Sequence, residues 1–218
     1  MKVSTDAVLL GAIAGTGAMV SALDIGVGTG VISLMLAQRF QDIEVVGVEL
    51  DDEAYIQASE NAKSSVFSNR ITFHHGYFQD FSKNNTAQFN LIVSNPPYFP
   101  DHIKTKDLQR NKALHNDSLP FEELVLSVVP LLERSGEFWL ILPPRQMQDF
   151  QALCLDHGLF PFHQVRVSDK AASKVIRVIQ AFSFEQKGMV SKDLHIKNND
   201  GTYAMGYRKL LKDFLTIF

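Results

Sequence analysis

Apolar positions along the chain fall into short runs of two kinds, separated by polar or glycine- and proline-containing breaks. Ala22–Ile25, Val45–Val48, Ile71–His74 and Leu91–Ser94 are compact apolar runs that read as buried strands. Between them, Val31, Leu34 and Leu36 with their apolar neighbours read as a helix. Asp52–Ser64 reads as a second, with Asp51 or Asp52 as its cap. Phe121–Leu132 is predicted helical, started by Ser118-Leu119-Pro120, and Glu137–Leu142 is a strand ended by Pro143-Pro144. Arg145–His157 is a helix stopped by Gly158, and Phe162–Val167 with Val175–Phe184 form a final antiparallel pair. Lys187–Gly201 is polar and reads as a loop. Strands that alternate with helices predict an α/β fold with a parallel sheet under helical layers, its ligands at the carboxyl ends of the strands. The length, 218 residues, suits one domain with a sizeable core, and there is no internal repeat.

Two breaks after strands carry chemistry. After Ala22–Ile25 come Gly26, Gly28 and Gly30, a turn where a ligand can approach the backbone closely. Their spacing is G-x-G-x-G, not the G-x-G-x-x-G of dinucleotide sites. The next strand ends in Glu49, 19 residues after Gly30, near the offset of roughly 20 at which an acid meets ribose hydroxyls in a βαβ nucleotide site. The fourth strand runs into Asn95-Pro96-Pro97-Tyr98. The prolines stop the strand and fix an extended turn. An amide, a backbone carbonyl and an aromatic face are thereby held together, a set suited to gripping a planar amide or amine and its ring. Taken alone such a string is also a structural turn; following a glycine turn at strand ends, it reads as a site.

Asp24-x-Gly26-x-Gly28-x-Gly30, then Glu49, then Asn95-Pro96-Pro97-Tyr98 resembles a class I S-adenosylmethionine-dependent methyltransferase of the amino-methylating type, over about residues 1 to 145. Three further pieces resemble the bacterial tRNA adenine-37 N6-methyltransferases acting on valine tRNA. They are the opening Lys2–Ala12, the Phe99 that trails the Asn-Pro-Pro-Tyr turn, and the closing Tyr207–Leu215. The resemblance implies a Rossmann-like fold: a seven-stranded, mostly parallel sheet with an antiparallel C-terminal strand and helices on both faces. It implies one domain, 1–218, with a cofactor-binding and catalytic core over 1–145 and a substrate-side part over 146–218. Its cofactor is S-adenosylmethionine, its substrate partner the anticodon loop of a tRNA, and no obligate protein partner is expected. Asn95, Pro96, Pro97 and Tyr98 are the catalytic candidates. Asp24, Gly26, Gly28, Gly30, Glu49, Leu50, Asp80, Asn95, Lys2 and Thr5 are the candidates for holding the cofactor; Thr5, with Asp6, is equally a cap of the first helix. The Asn95 side-chain oxygen and the Pro96 carbonyl would each accept one amino hydrogen, and Tyr98 would stack on the purine. No metal is required.

Pro100–Leu119, which follows that turn, lacks clean periodicity and reads either as a loop closing over the substrate or as a surface loop. With Tyr98 and Phe99, its Lys104, Lys106, Arg110, Lys112 and His115 are the candidate substrate contacts, although Leu114 stands where the family carries an arginine. The chain starts at Met1-Lys2 without the segment that the family usually carries before this motif, so weak methylation is expected of it as it stands. Glutamine methylation in release factors, which uses the same turn, is the nearest rival, though those enzymes carry a helical domain before the core. Amino methylation of DNA or ribosomal RNA is chemically equivalent, and a catalytically idle cofactor-binding RNA module is the other alternative.

The net charge of −3 looks wrong for an RNA enzyme until it is divided along the chain. Residues 1–101 hold 5 basic and 11 acidic side chains, whereas residues 163–218 hold 10 and 5, so the basic excess is confined to the last quarter. That asymmetry fits either a polyanion surface or an ordinary solvated face. No apolar run approaches the 18 residues of a membrane span, the N-terminus carries no secretion pattern, and the lone Cys154 fits a reducing cytoplasm. Cys154 and Trp139 read as core. The adjacent His74 and His75 face opposite ways on a strand and lack a third ligand, so they read as structural or exposed.

Overall fold

A computed structural model describes residues 2–97 and 119–218. The elements alternate as the apolar runs predict: α1 (Thr5–Ile13), β1 (Ser21–Ile25), α2 (Val31–Arg39), β2 (Glu44–Glu49), α3 (Asp52–Lys63), β3 (Ile71–His75), α4 (Phe78–Asn84) and β4 (Phe89–Ser94). After the undescribed stretch come α5 (Phe121–Val128), β5 (Leu132–Leu142), α6 (Pro144–Asp156), β6 (Phe160–Ser168), β7 (Val175–Ser183), β8 (Val190–His195) and α7 (Met205–Leu211). The strands form one sheet in the order β3-β2-β1-β4-β5-β7-β6-β8. Only β7 runs against its neighbours; every other pairing is parallel. The carboxyl ends of β1, β2, β3 and β4 therefore open on one edge, with the order reversing direction between β1 and β4. That reversal is the switch point where α/β folds leave a crevice.

The sheet has eight strands, not seven. The additional strand, β8, lies in the polar stretch expected to be a loop and pairs parallel with β6 from His163↔Val190 to Ser168↔His195. Its side chains are mostly exposed, so it carries no apolar pattern. Backbone pairing holds it, together with a two-pronged contact in which Arg166 Nε and Nη2 donate to Asp193 Oδ1 and Oδ2 at 2.8 and 3.0 Å. The helix expected over 121–132 ends at Val128, because the chain turns at Val129-Pro130 to begin a longer β5. α4 is a further element that the sequence pattern did not single out.

Two apolar layers cover the sheet. On one face Leu9, Leu10, Ile32, Leu36, Trp139 and Tyr207 join α1, α2 and α7 to the strands. On the other, Leu23, Ile92, Val125, Phe138, Phe150 and Phe182 join α5 and α6, with Phe78 at the start of α4. Cys154 and Trp139 are fully buried, as expected of core residues. The Trp139 indole N–H donates to Glu137 Oε2 at 2.7 Å. The same buried carboxylate accepts the Thr16 backbone N–H at 3.0 Å and the Thr16 hydroxyl, which ties the end of α1 to β5.

Side chains close the N-termini of α1 and α3 and the C-termini of α1 and α2. Ser4, not Thr5 or Asp6, caps α1 by accepting from the Ala7 N–H at 3.1 Å. Asp51 caps α3 through Ala54. Arg39 donates from Nη1 to the Gly11 and Ala14 carbonyls at 2.8 and 2.6 Å, and Arg70 donates to the Ala37, Phe40 and Ile43 carbonyls. These two guanidiniums satisfy the orphan carbonyls at the ends of α1 and α2. Burial pulls the Arg39 guanidinium down to about 10.

Candidate active site

The glycine turn is built by β1, α2 and β2 together. Gly26, Gly28 and Gly30 all take positive φ, and Gly30, at +80°, forms the left-handed entry to α2. A side chain there would be strained in conformation, although its Cβ would meet Ala58 of α3 only at ordinary contact distance. The turn is then pinned from below and from the side. Below, Asp24 is fully buried; Ser33 Oγ donates to its Oδ2 at 2.6 Å, while its Oδ1 has no hydrogen-bond partner among the described residues. Burial pushes the Asp24 carboxyl up to about 7, the Ser33 hydrogen bond opposes that rise, and the nearby Glu49 charge adds to it. From the side, Glu49 Oε2 accepts the Gly28 N–H at 2.8 Å and its Oε1 accepts the Leu50 and Asp51 N–H groups at 2.8 and 2.9 Å. Three backbone donors thus fix this carboxylate where β2 ends and leave about one of its four lone pairs, on Oε2, for a ligand.

Across the switch point, Ser94 Oγ donates to the Ile25 carbonyl at 3.0 Å and locks the end of β4 to the end of β1. The chain then turns through half-buried Asn95, buried Pro96 and exposed Pro97. A single pocket joins the two halves: Ile25, Gly26, Glu49 and Leu50 line it with Ser94, Pro96 and Pro97. Its far end, beyond Glu49, is walled by Gly76, Tyr77, Phe78, Gln79 and Leu119. The sequence reading missed this last group. The signal that marks it is Gly76, φ +144°, directly after the β3 strand, because a third strand end on the same edge must also face the crevice.

The residues singled out from sequence separate into three sets. Gly26, Glu49, Leu50, Pro96 and Pro97 line the pocket, Gly28 and Asp24 support its floor, and Gly30 and Asn95 adjoin it in sequence. Asp80 is not among the lining residues. It follows Gln79 around the α4 helix, and it lines two neighbouring depressions instead. Lys2 and Thr5 are exposed near the start of α1 and do not line the pocket either. That start is fixed to β7 by Arg177 Nε donating to Asp6 Oδ2 at 2.6 Å. Tyr98, Phe99, Lys104, Lys106, Arg110, Lys112 and His115 lie outside the described residues. His75 stacks on Tyr55 with its Nε2 3.0 Å from the Leu50 carbonyl, and no cluster of metal-ligating side chains occurs among the described residues.

A mostly parallel sheet of this order with one antiparallel strand, a glycine turn after its first strand, an acid at the end of its second and an Asn-Pro-Pro turn after its fourth define a class I methyltransferase. Similarity to known proteins agrees. Residues 5–149 match the methyltransferase small domain family. A protein from Agrobacterium tumefaciens described as a predicted O-methyltransferase shares the fold at a TM-score of 0.75 and 17% identity, over 95% of this chain and 96% of that one. The tRNA1(Val) (adenine(37)-N6)-methyltransferase of Pedobacter heparinus is 38% identical over 218 residues, 100% of this chain and 92% of the relative. That of Bacteroides fragilis is 39% identical, over 98% and 90%. The chain belongs to the family of bacterial tRNA1(Val) (adenine(37)-N6)-methyltransferases.

Proposed function

We propose that the protein transfers a methyl group from S-adenosylmethionine to the exocyclic 6-amino nitrogen of an adenine in tRNA. The names of its relatives point to adenine 37, beside the anticodon of a valine tRNA, and so to the cytoplasm as its place of work. The single observation that carries the reading is that one pocket is lined both by the Gly26–Glu49 side of the switch point and by Pro96-Pro97. A nucleoside and an amino nucleophile are thereby brought to adjacent ends of two strands.

The residues present fit this cofactor. The fixed Glu49 carboxylate, with Oε2 still able to accept, suits a ribose hydroxyl, and the Leu50 and Phe78 side chains suit a flat base. Gly26 faces open space, with nothing within 4 Å of where a Cβ would be, so the methionine part can lie against its backbone. When bound, the cofactor supplies a methyl group on a cationic sulfur, and the chain has only to position the nucleophile and shape the charge around it. Asn95 Oδ1 and the Pro96 carbonyl each accept one hydrogen of the adenine 6-amino group. That geometry pulls the nitrogen lone pair out of conjugation and aims it along the pocket. The same two dipoles stabilise the positive charge that develops on nitrogen, and the surplus proton then passes to water. Tyr98 stacks on the base, and Phe99 with Lys104, Lys106, Arg110, Lys112 and His115 contacts the surrounding nucleotides. An anticodon-loop adenine is already unpaired, so bringing it into the pocket costs least there.

Incubation with methyl-labelled cofactor and bulk unmodified tRNA, followed by nucleoside analysis, tests the reading. Labelled N6-methyladenosine is expected; label in protein glutamine, or none in tRNA while the cofactor still binds, overturns it. Asn95→Ala is expected to bind the cofactor within about threefold of wild type and to lose transfer by roughly 100-fold or more, the scale of removing one preset dipole.

A further inference from the structure

Gln79 and Glu123 form a pair whose arrangement has a chemical consequence at the base end of the pocket. Gln79, near the start of α4, lines the pocket next to Tyr77 and Phe78. Its Nε2 donates to Glu123 Oε2 of α5 at 2.8 Å. A carboxylate only accepts, so it dictates which way the amide is turned: the NH2 group faces Glu123 and the carbonyl oxygen faces away from it. No other group among the described residues donates to that oxygen. Gln79 lies beyond Glu49 in the direction of β3, at the end of the pocket opposite Pro96-Pro97. With the ribose on Glu49, this is where the purine of the cofactor falls. The carboxylate expected to read that purine, Asp80, does not line this pocket; it shares with Gln79 and Glu123 a neighbouring depression outside it, so of Asp80 and Gln79 only Gln79 borders both.

We infer that Gln79 reads the 6-amino group of the cofactor's own adenine through its carbonyl oxygen, and that Glu123 is a positioning residue that locks the amide in this orientation. The inference rests on the cofactor reading above. Its consequence is discrimination at purine position 6. A hypoxanthine base carries a carbonyl there, which would meet the Gln79 carbonyl. Turning the amide over to donate to it would set the Gln79 oxygen against the Glu123 carboxylate. Both arrangements place acceptor against acceptor, so the site rejects the oxo base, and it does so only while residue 123 is a carboxylate. Sites that hydrogen-bond a substrate group reject analogues lacking it far more strongly than apolar sites do.

The test is calorimetric binding of S-adenosylhomocysteine and S-inosylhomocysteine to wild-type protein, Glu123→Gln and Gln79→Leu, with thermal melting to establish that each variant is folded. Wild type is expected to prefer the adenosyl compound by roughly 10–100-fold, the range of one or two hydrogen bonds. Glu123→Gln is nearly isosteric and lets the Gln79 amide turn. It is expected to keep adenosyl affinity within about threefold and to gain roughly 10-fold for the inosyl compound. Gln79→Leu is expected to bind the two within about threefold of each other. A merely structural Glu123 would change both affinities together and leave their ratio in place, and that result overturns the inference while leaving the cofactor reading intact. Failure of folded wild type to bind either compound overturns the cofactor reading itself.

Discussion

At the scale of single residues the site depends on two carboxylates with opposite environments. Asp24 is buried and its carboxyl is raised from 3.8 to about 7, chiefly by burial. A group whose folded value lies above its ordinary one adds stability that is complete at acid pH and disappears as the pH rises through the folded value, here from about 4 to about 7. Three pH units correspond to about 4 kcal/mol. Asp24→Asn keeps the shape and removes the proton equilibrium. The difference in melting temperature between Asp24→Asn and wild type is therefore expected to move in favour of the variant between pH 5 and pH 8, in the absence of cofactor. A difference that is flat with pH would mean that Asp24 ionises normally. Glu49 differs because both its oxygens are already occupied by backbone N–H groups of Gly28, Leu50 and Asp51. An amide at this position would turn an NH2 group toward a backbone N–H. Glu49→Gln is thus expected to lose roughly 10–100-fold in affinity for S-adenosylhomocysteine, the scale of one or two charge-assisted hydrogen bonds. Calorimetry measures this directly, and an affinity within twofold of wild type would remove Glu49 from the binding site.

At the scale of elements, one glycine inside a strand couples the sheet to the turn above it. A Cβ on Gly47 of β2 would meet Val27 Cγ2 at 2.4 Å and Phe73 Cδ1 at 2.6 Å. Val27 belongs to the glycine turn, so the side chain that Gly47→Ala displaces most is one carried by that turn. The substitution is expected to cost about 1–3 kcal/mol in chemical denaturation, as overpacking does, and also to weaken S-adenosylhomocysteine binding. An unchanged affinity in a destabilised protein would show that Val27 yields without shifting the turn. This coupling has no sequence signature, since a glycine in an apolar run says only that something approaches closely. The elements themselves were legible in proportion to how much of each is buried. β1, β2 and β4 carry apolar runs because helices cover both their faces, and Asp51 and Gly158 mark the start of α3 and the end of α6. β8 was unreadable because an edge strand of exposed residues is held by backbone pairing and by the Arg166–Asp193 contact, neither of which imposes a hydrophobic period. The candidate site was legible where glycine, proline and acid fall at strand ends. It was not legible at Gln79, whose role depends on Glu123, 44 residues away in sequence.

At the scale of the whole molecule, the antiparallel β7 decides where the basic last quarter of the chain sits. Because β7 reverses between β5 and β6, both β6 and β8 run parallel to β5, and their carboxyl ends rise to the same edge as the Asn95 turn. The segments that follow them carry Lys170 and Lys174 after β6 and Lys197 after β8. Lys197 lies 3.9 Å from Asp169 and Lys170 Nζ donates to the Asn199 carbonyl at 3.3 Å, so this rim is partly tied down, while Lys174 is exposed. A tRNA whose target adenine enters at Pro96-Pro97, as proposed, would have phosphates to spare for that rim, and phosphate contacts release counterions. Each contact contributes roughly 0.7–0.9 to the slope of log affinity against log salt. Replacing Lys170 and Lys174 together with alanine is expected to weaken tRNA binding at low salt and to reduce that slope by about 1.5, with cofactor affinity unchanged because neither residue lines the pocket. Filter binding across a salt series distinguishes the outcomes. A reduced slope means that the substrate body lies over β6–β8. An unchanged slope with normal cofactor binding means that it approaches over β3 and α4 instead, and that the basic quarter is a solvated face.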